Sequence, residues 1–258
     1  MTTRTKLLEI KNLTRRFGGI VAVNNVSFDV YEGEIVALIG PNGAGKTTLF
    51  NMISNITPPT SGEVWFKGEK ITGQPVYSLA AKGIVRTFQN LQVFDNMSVL
   101  ENVMLGTHIR LKTNVLSAGF RLPVVKRDDE LARSLALKAL EQVGLLELKD
   151  EIAGNLPYGM QKLLEIARAI VANPTLILLD EPMAGLNDGE SRKLSQLIVR
   201  MKNEGYTFLF VEHDMNTVMK IADRIVVIDF GSKIAEGTPQ EVQKDPKVIA
   251  AYLGEEVY

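Results

Sequence analysis

Residues 34–56 carry the sequence feature that most constrains the fold. Glu34–Gly40 reads EIVALIG, a short and almost continuous apolar run, and a glycine-rich stretch and a helical pattern from Thr47 to Ile56 follow it. Such a run is typical of a strand buried on both faces, as in a parallel sheet covered by helices. The segment therefore predicts a strand, a loop and a helix in an α/β protein.

The glycine-rich stretch fits the pattern G-x-x-x-x-G-K-[ST]. Glycines let consecutive backbone N–H groups turn inward around a phosphate chain, and the following helix N-terminus adds positive potential. We expect Lys46 to contact the β- and γ-phosphates of a nucleotide and the Thr47 hydroxyl to bind Mg²⁺. The alternative is a glycine-rich turn with a surface lysine, and the flanking strand and helix argue against it. The expected nucleotide-binding residues are Gly40, Pro41, Asn42, Gly43, Ala44, Gly45, Lys46, Thr47 and Thr48.

Two adjacent carboxylates follow a second apolar run, Leu176–Leu179. Ligands of open α/β sheets bind at the carboxyl ends of the strands, where Asp180 and Glu181 are predicted to lie. Asp180 suits Mg²⁺, directly or through water. Glu181 can orient and deprotonate a water for attack on the γ-phosphate. The alternative is a solvated turn, because paired carboxylates are common in loops.

One of the two histidines also follows a predicted strand. His213 comes after the apolar run Thr207–Val211, so it is expected at the third strand end of the same sheet, where it could sense or stabilise the γ-phosphate. The alternative is a histidine that only satisfies local hydrogen bonds. His108 has no such neighbours and is interpreted as structural or exposed.

Composition excludes several classes of site. The 258 residues include no cysteine, which removes disulfides, thiolate zinc sites, iron–sulfur clusters and cysteine nucleophiles. Two histidines are too few for a multi-histidine metal centre. The 29 basic and 30 acidic residues show no basic excess, so no nucleic-acid partner is expected. No apolar run approaches the roughly 18 residues of a membrane span, and no secretory signal is evident, which predicts a cytoplasmic location.

The middle of the chain differs from its two ends. The first sixty-odd residues read mainly as strands, whereas Val99–Leu148 has few strand signals and much helical periodicity. One helix is predicted to end at Gly144, and residues 110–128 are interpreted as an irregular excursion or a broken helical hairpin around Pro123. We therefore expect a single domain over residues 1–258. Its core comprises residues 1–88 and 159–258, and residues 89–158 form a helical insertion.

Taken together, these motifs resemble the ATP-binding subunits of ABC transporters over nearly the whole chain. The resemblance implies a P-loop NTPase fold of the ABC cassette type, with a RecA-like core, an N-terminal antiparallel β subdomain and an inserted helical subdomain. Gly40–Thr47 resembles the Walker A motif, and Leu178–Glu181 resembles Walker B with its catalytic glutamate. Gln89 matches the Q-loop glutamine that contacts Mg²⁺, and His213 matches the switch histidine.

Three further segments carry the resemblance. Phe17 matches the aromatic residue that stacks on adenine, although it could instead be a core phenylalanine. The signature motif, usually LSGGQ, contacts the ATP of the partner subunit and matches Leu156, Pro157, Tyr158, Gly159, Met160 and Gln161. The D-loop matches Ala184, Gly185, Leu186 and Asn187. Pro157 lacks the hydroxyl and N–H of the usual serine, so Gly159 is expected to carry the phosphate contact through its N–H. Asn187 replaces the usual aspartate and loses its charge.

Within the family, Arg86–Phe94 and Met97–Val103 resemble the importer subunits for branched-chain and other hydrophobic amino acids. The stretch His108–Asp129 is similar to the larger of two sister ATP-binding subunits in that group. Lipopolysaccharide-export ATPases share several of these features but are shorter between Gln89 and Leu156.

The resemblance implies MgATP hydrolysis at a dimer interface, coupled to solute import. The implied partners are a second ATP-binding subunit, either a sister chain or a second copy, and integral membrane permease subunits. A periplasmic or extracellular solute-binding protein takes part indirectly. The chain would be peripheral on the inner face of the cell membrane. The alternatives are the ATPase of a lipid exporter or of a urea or amide importer, and a soluble ABC protein outside transport. In the stretch 93–106, the apolar residues Phe94, Met97 and Val99 are expected to be exposed for docking to the membrane subunits. The alternative is that they pack in the core between helices.

Overall fold

The computed structural model of the chain describes residues 4–87, 92–111 and 123–253. The contacts among these residues divide the chain into two units. One unit, here called the sheet unit, comprises the residues up to Arg86, Thr175–Ala184 and the residues from Ser191 onward. The other, the helical unit, comprises Thr87–Pro174 and Gly185–Glu190. The sequence placed residues 159–174 with the core, whereas their contacts lie within the helical unit; the interpretation of 1–258 as a single domain stays a prediction.

The first sheet of the sheet unit is antiparallel and has the order β2-β1-β4-β5. A turn at residues 18–19 joins its two long strands, and bulges interrupt their pairing. Numbered in chain order, its strands are β1 (Lys6–Phe17), β2 (Ile20–Tyr31), β4 (Ser61–Phe66) and β5 (Glu69–Lys70). The antiparallel N-terminal subdomain expected from the family is therefore present.

The second sheet has the order β10-β9-β3-β8-β7-β6, and β10 alone pairs in antiparallel fashion. All residues of β3, β7 and β8 are buried, as their continuous apolar runs predicted. The sequence analysis missed β6 and β10. The strands are β3 (Ile35–Ile39), β6 (Ile84–Arg86), β7 (Leu176–Asp180), β8 (Thr207–Val211), β9 (Arg224–Asp229) and β10 (Ser232–Gly237).

One apolar cluster joins residues of both sheets to the first helix, α1 (Lys46–Ile53). Its largest side chain on α1 is Phe50, which is fully buried. Burial of apolar surface contributes about 25 cal/mol per Å², so this cluster stabilises the unit. The helix that follows the glycine-rich loop is thus fixed against both sheets. The other helices with residues in this unit are α2 (Val76–Lys82), α6 (Asp188–Asn203), α7 (Met215–Ile221), α8 (Pro239–Lys244) and α9 (Pro246–Leu253).

Three helices that pack against one another form most of the helical unit. They are α3 (Val99–Leu105), α4 (Pro123–Val143) and α5 (Tyr158–Ile170), with single 3₁₀ turns at His108–Arg110, Leu146–Leu148 and Ala153–Asn155. A capping box between Ser98 and Glu101 starts α3, and the hydrogen bonds from Ser98 lower the pKa of the Glu101 carboxyl.

One expectation for this unit agrees with the structure and one was wrong. Residues 123–128 were interpreted as part of an irregular excursion or a broken helical hairpin, and they form the start of α4, where proline at the first helical position costs no hydrogen bond. Residues 112–122 lie outside the described residues. Val99 was expected to be exposed, yet it is fully buried, whereas Phe94 is exposed and Met97 is partly exposed. Among the described residues, no helix combines the length and hydrophobicity that crossing a bilayer requires.

Candidate nucleotide-binding site

The glycine-rich loop connects β3 to α1, as predicted, and its shape excludes larger residues at two positions. A Cβ atom on Gly40 would lie 2.0 Å from the carbonyl oxygen of Ile228, and one on Gly45 would lie 2.3 Å from that of Ala22. Both glycines also have positive φ angles, of 154° and 98°. The loop therefore packs closely between the end of β9 and the start of β2. It forms a backbone cradle of the kind that holds phosphate.

Lys46 stands at the first position of α1 and is 8% exposed. Its ammonium group donates hydrogen bonds to the carbonyl oxygens of Gly40, at 2.6 Å, and Pro41, at 2.8 Å. These hydrogen bonds hold the ammonium group against the glycine-rich loop that is predicted to bind the phosphates. Its position matches the role of a lysine that contacts terminal phosphates.

Asp180 ends β7, and its side chain is 8% exposed. One of its oxygens, Oδ2, accepts a hydrogen bond of 2.6 Å from Nη2 of Arg86, at the end of the neighbouring strand β6. The same guanidinium donates hydrogen bonds to the side chains of Asn51, which lies in α1, and of Ser54, the residue directly after α1. The sequence analysis did not single out Arg86. The predicted metal carboxylate is thus tied to the helix that carries Lys46.

Glu181 occupies a strained backbone position directly after β7. Its φ angle is 48°, which is uncommon for a residue with a side chain and is concentrated at functional sites. Its N–H donates to the carbonyl oxygen of Val211 at 3.0 Å, which joins it to the end of β8. Nδ1 of His213, which is largely exposed, lies 3.8 Å from Oε2 of Glu181. The structure therefore brings these two predicted residues together at adjacent strand ends.

A buried carboxylate that the sequence analysis missed organises the same strand ends. Glu212 is 1% exposed and accepts hydrogen bonds from the backbone N–H groups of Met183, at 2.9 Å, and His213, at 2.9 Å. A third N–H, from Asp214, donates at 3.3 Å. Its only signal in the sequence was a charged residue between an apolar run and a histidine. Glu212 fixes the turn after Glu181 to the loop that carries His213.

Phe17 is not a core residue, because 48% of its surface is exposed at the end of β1. The Arg15 guanidinium lies 4.5 Å from its ring centroid. A second exposed aromatic, Phe230, is 90% exposed and lines a cavity of about 600 Å³ together with Pro41–Ala44. Either ring is therefore sterically able to receive a base, and the two must be distinguished by substitution.

The signature residues start α5 within the helical unit, where they contact the D-loop. A Cβ on Gly159 would lie 2.5 Å from Oε1 of Glu190, and one on Gly185 would lie 2.9 Å from the ring of Tyr158. Asn187 and Glu190 exchange hydrogen bonds of 3.0 Å between side chain and backbone N–H. Asn187 therefore caps the start of α6, a role that asparagine and aspartate fill equally well. The lost charge at this position costs the cap nothing.

Two other residues from the sequence analysis lie away from these strand ends or cannot be placed. Gln89 lies outside the described residues. His108 is exposed, with Nδ1 3.0 Å from the carbonyl oxygen of Leu105, which agrees with a structural role.

The described residues hold no cluster of three or more histidine, aspartate or glutamate side chains able to bind a metal. A site with few protein ligands fits Mg²⁺, which keeps waters and shares phosphate oxygens. The hydroxyl of Thr47 and the carboxylate of Asp180 are oxygen donors of the required kind.

Comparison with known proteins decides the family. Residues 23–184 match the family described as ABC transporter, and residues 232–258 match the branched-chain amino acid ATP-binding cassette transporter family. The chain belongs to the ABC transporter family. As an ABC ATP-binding subunit it binds nucleotide and hydrolyses ATP, and the expected cassette fold is confirmed.

Individual relatives cover nearly the full length. The chain is 46% identical over 250 residues to the high-affinity branched-chain amino acid transport ATP-binding protein BraF of Pseudomonas aeruginosa, covering 96% of this chain and 98% of the relative. A solved ABC transporter cassette in its ADP conformation is 36% identical with a TM-score of 0.84, covering 97% and 99%. A dimeric cassette in a post-hydrolysis state, bound to ADP and Pi, is 28% identical with a TM-score of 0.75, covering 90% and 99%.

Proposed function

We propose that this ABC ATPase couples MgATP hydrolysis to the import of branched-chain amino acids. The observation that carries the proposal is the 46% identity to a branched-chain amino acid transport ATP-binding protein along nearly the whole of both chains. The separate match of residues 232–258 to a family of the same description supports it.

The proposed chemistry assigns one task to each group at the strand ends. The cradle from Gly40 to Thr48 binds the phosphates, and Lys46 neutralises their charge. Thr47, Asp180 and Gln89 would hold Mg²⁺, which supplies charge neutralisation for the phosphate oxygens. Glu181 orients a water and accepts its proton. His213, fixed by Glu212, donates a hydrogen bond towards the terminal phosphate.

The proposed assembly is a dimer, either with a sister ATP-binding chain or with a second copy. The dimeric relative bound to ADP and Pi supports this arrangement. In such a dimer, the start of α5 would face the nucleotide of the opposite subunit. The first N–H groups of a helix have no acceptor within the helix, so they can bind a phosphate. Gly159 supplies this N–H next to Pro157.

Phe94 marks the proposed contact with the membrane subunits. Asn102, which is 1% exposed, exchanges hydrogen bonds with the backbone of Phe94, so that the ring is held while 52% of its surface is exposed. A cavity of about 360 Å³ beside it is lined also by Leu105, His108 and Arg168. Burial lowers the pKa of Arg168, whose guanidinium lies 5.8 Å from the ring of Phe94. An exposed aromatic residue beside an arginine is typical of a protein-docking surface. Docking there would place the chain on the inner face of the membrane.

Transport by the reconstituted complex tests the cargo. The chain, its sister subunit, the permease subunits and the solute-binding protein are assembled in liposomes that contain MgATP. We expect uptake of radiolabelled leucine that requires both ATP and the binding protein, with no uptake of urea. Urea uptake without leucine uptake, or ATP-dependent extraction of lipid, would replace the proposed cargo with one of the two alternatives.

Replacing Phe17 with alanine is expected to weaken ATP and GTP binding equally. An aromatic face stacks on any base, and such stacking contributes about 1–3 kcal/mol, or roughly a five- to hundred-fold change in Kd. Equilibrium titration of both nucleotides measures the effect, and Phe230→Ala is the matched control. Weaker binding by Phe230→Ala with unchanged Phe17→Ala would transfer the adenine contact to Phe230.

Replacing Gly159 with aspartate is expected to abolish ATP hydrolysis, whereas Pro157→Ser changes the rate only a few-fold. The new carboxylate would crowd and repel the phosphate of the opposite subunit. It would also displace Glu190, whose Oε1 occupies the space of the new Cβ. Glu190→Ala controls for this second effect, because it removes the side chain that occupies this space, together with its hydrogen bond from the N–H of Asn187, and adds no charge near the phosphate. Steady-state ATPase assays should show that Glu190→Ala retains most activity. Full activity of Gly159→Asp would remove the signature from the nucleotide site.

A further inference from the structure

Arg86 holds the predicted metal carboxylate by one of its two oxygens. Nη2 donates to Oδ2 of Asp180 at 2.6 Å, and the two side chains are 10% and 8% exposed. A hydrogen bond between a guanidinium and a carboxylate is charge-assisted and strongly directional. Because it engages Oδ2, it sets the direction in which Oδ1 points.

The other terminal nitrogen of the guanidinium, Nη1, is bound at the C-terminal end of α1. Nη1 donates to Oδ1 of Asn51 at 2.8 Å and to Oγ of Ser54 at 2.6 Å. The Ser54 hydroxyl in turn donates to the carbonyl oxygen of Phe50 at 2.9 Å, and the guanidinium lies 4.8 Å from the ring centroid of Phe50. Arg86 therefore joins Asp180 to the helix whose first turn carries Lys46 and Thr47.

Strand pairing in the second sheet fixes the position of the Arg86 backbone next to β7. Arg86 is the last residue of β6 and pairs with Leu178 of β7, two positions before Asp180. A planar guanidinium with several donors can hold the carboxylate and α1 at once, which an ammonium group cannot do with the same geometry. The arrangement holds together the two parts of the site that are expected to share one cation.

We propose that Arg86 is a positioning residue for Mg²⁺: it orients Asp180 relative to Thr47, so that the metal ligands are arranged before MgATP binds. The proposal rests on the proposed function, in which Asp180 holds Mg²⁺ directly or through water. Hydrogen-bond partners of metal ligands change metal affinity by about 10–100-fold when they are removed. Arg86 acts through Asp180 and is assigned no contact with nucleotide.

The test measures the Mg²⁺ requirement of nucleotide binding rather than turnover. The full chain is titrated with a fluorescent ATP analogue in EDTA and at increasing Mg²⁺. For Arg86→Met, we expect the Mg²⁺ concentration for half-maximal effect to rise about 10–100-fold, with binding in EDTA unchanged. Arg86→Lys should lie between this variant and the wild type. The matched control is Arg224→Met, which removes another largely buried arginine, one that pairs with Glu34. It should leave the Mg²⁺ requirement unchanged.

The outcomes separate this inference from the proposed function. If the wild type shows no Mg²⁺ effect on binding, or if Asp180→Asn keeps the wild-type Mg²⁺ effect, the assignment of Mg²⁺ to Asp180 fails. If Asp180→Asn loses the effect while Arg86→Met keeps the wild-type requirement, or binds Mg²⁺ more tightly, only the role of Arg86 is overturned. Thermal unfolding reports whether each variant is folded. If Arg86→Met does not fold, Asn51→Ala tests the same connection from α1, with an expected rise near the lower end of the range, about ten-fold. An unchanged requirement in Asn51→Ala would then overturn the inference.

Discussion

Replacing Lys46 with alanine is expected to weaken MgATP binding by about 10–100-fold and to stop turnover. A hydrogen bond to a charged group contributes about 1.5–3 kcal/mol, and each 1.4 kcal/mol is ten-fold in Kd. The variant removes the cation nearest the β- and γ-phosphates while the glycine cradle remains. The ammonium group also donates to the carbonyl oxygens of Gly40 and Pro41, so loop stability must be measured separately.

Isothermal titration with MgATP and a coupled ATPase assay measure the two effects of this change. Thermal unfolding without nucleotide reports the loss of the two loop hydrogen bonds. Lys67→Ala is the matched control, because Lys67 donates to the Thr175 hydroxyl at 2.7 Å and is assigned no contact with nucleotide. Wild-type affinity together with wild-type turnover in Lys46→Ala would contradict the assignment of the loop.

Local patterns explain why the loop and the strand ends could be predicted from sequence. Lys46 and Thr47 lie within eight residues of Gly40, so a strand, a loop and a helix place them without any distant contact. Asp180 and His213 each follow an apolar run that forms a buried parallel strand. The carboxyl ends of such strands lie together at one edge of the sheet. Spacing along the chain was therefore sufficient for these residues.

Residues whose roles depend on distant partners could not be found in this way. Arg86 pairs with Asp180, 94 residues later in the chain, and lies on a strand of three residues that is too short to show a period. The role of Glu212 depends on a hydrogen bond from the backbone N–H of Met183, 29 residues earlier in the chain. From the sequence, Asn187 was interpreted only as the loss of the usual aspartate charge. Its side chain accepts a hydrogen bond from the N–H of Glu190 and so caps a helix. In each case tertiary neighbours decide the role.

Replacing Glu181 with glutamine is expected to separate nucleotide binding from hydrolysis. A positioned general base contributes about 10²–10⁴ in rate, or roughly 3–5.5 kcal/mol of barrier. Glutamine keeps the shape and hydrogen bonding of the side chain but removes its basicity and one negative charge near the phosphates. ATP affinity should therefore be unchanged or higher, while turnover falls by that factor. Titration and steady-state assays measure both, with Glu32→Gln, an exposed carboxylate outside the site, as the matched control.

Blocked hydrolysis should also trap the closed dimer. If ATP joins two subunits and its cleavage releases them while ATP is in excess, Glu181→Gln should accumulate as a dimer in MgATP, alone or mixed with its sister subunit. Light scattering with and without MgATP measures this shift, which should reverse when ATP is removed and be absent in Glu32→Gln. Wild-type turnover would exclude Glu181 as the general base. An inactive variant that stays monomeric with its sister subunit present would leave Glu181 in the mechanism but contradict the shared-nucleotide dimer, because a dimer closed by ATP should accumulate when hydrolysis is blocked and ATP is in excess.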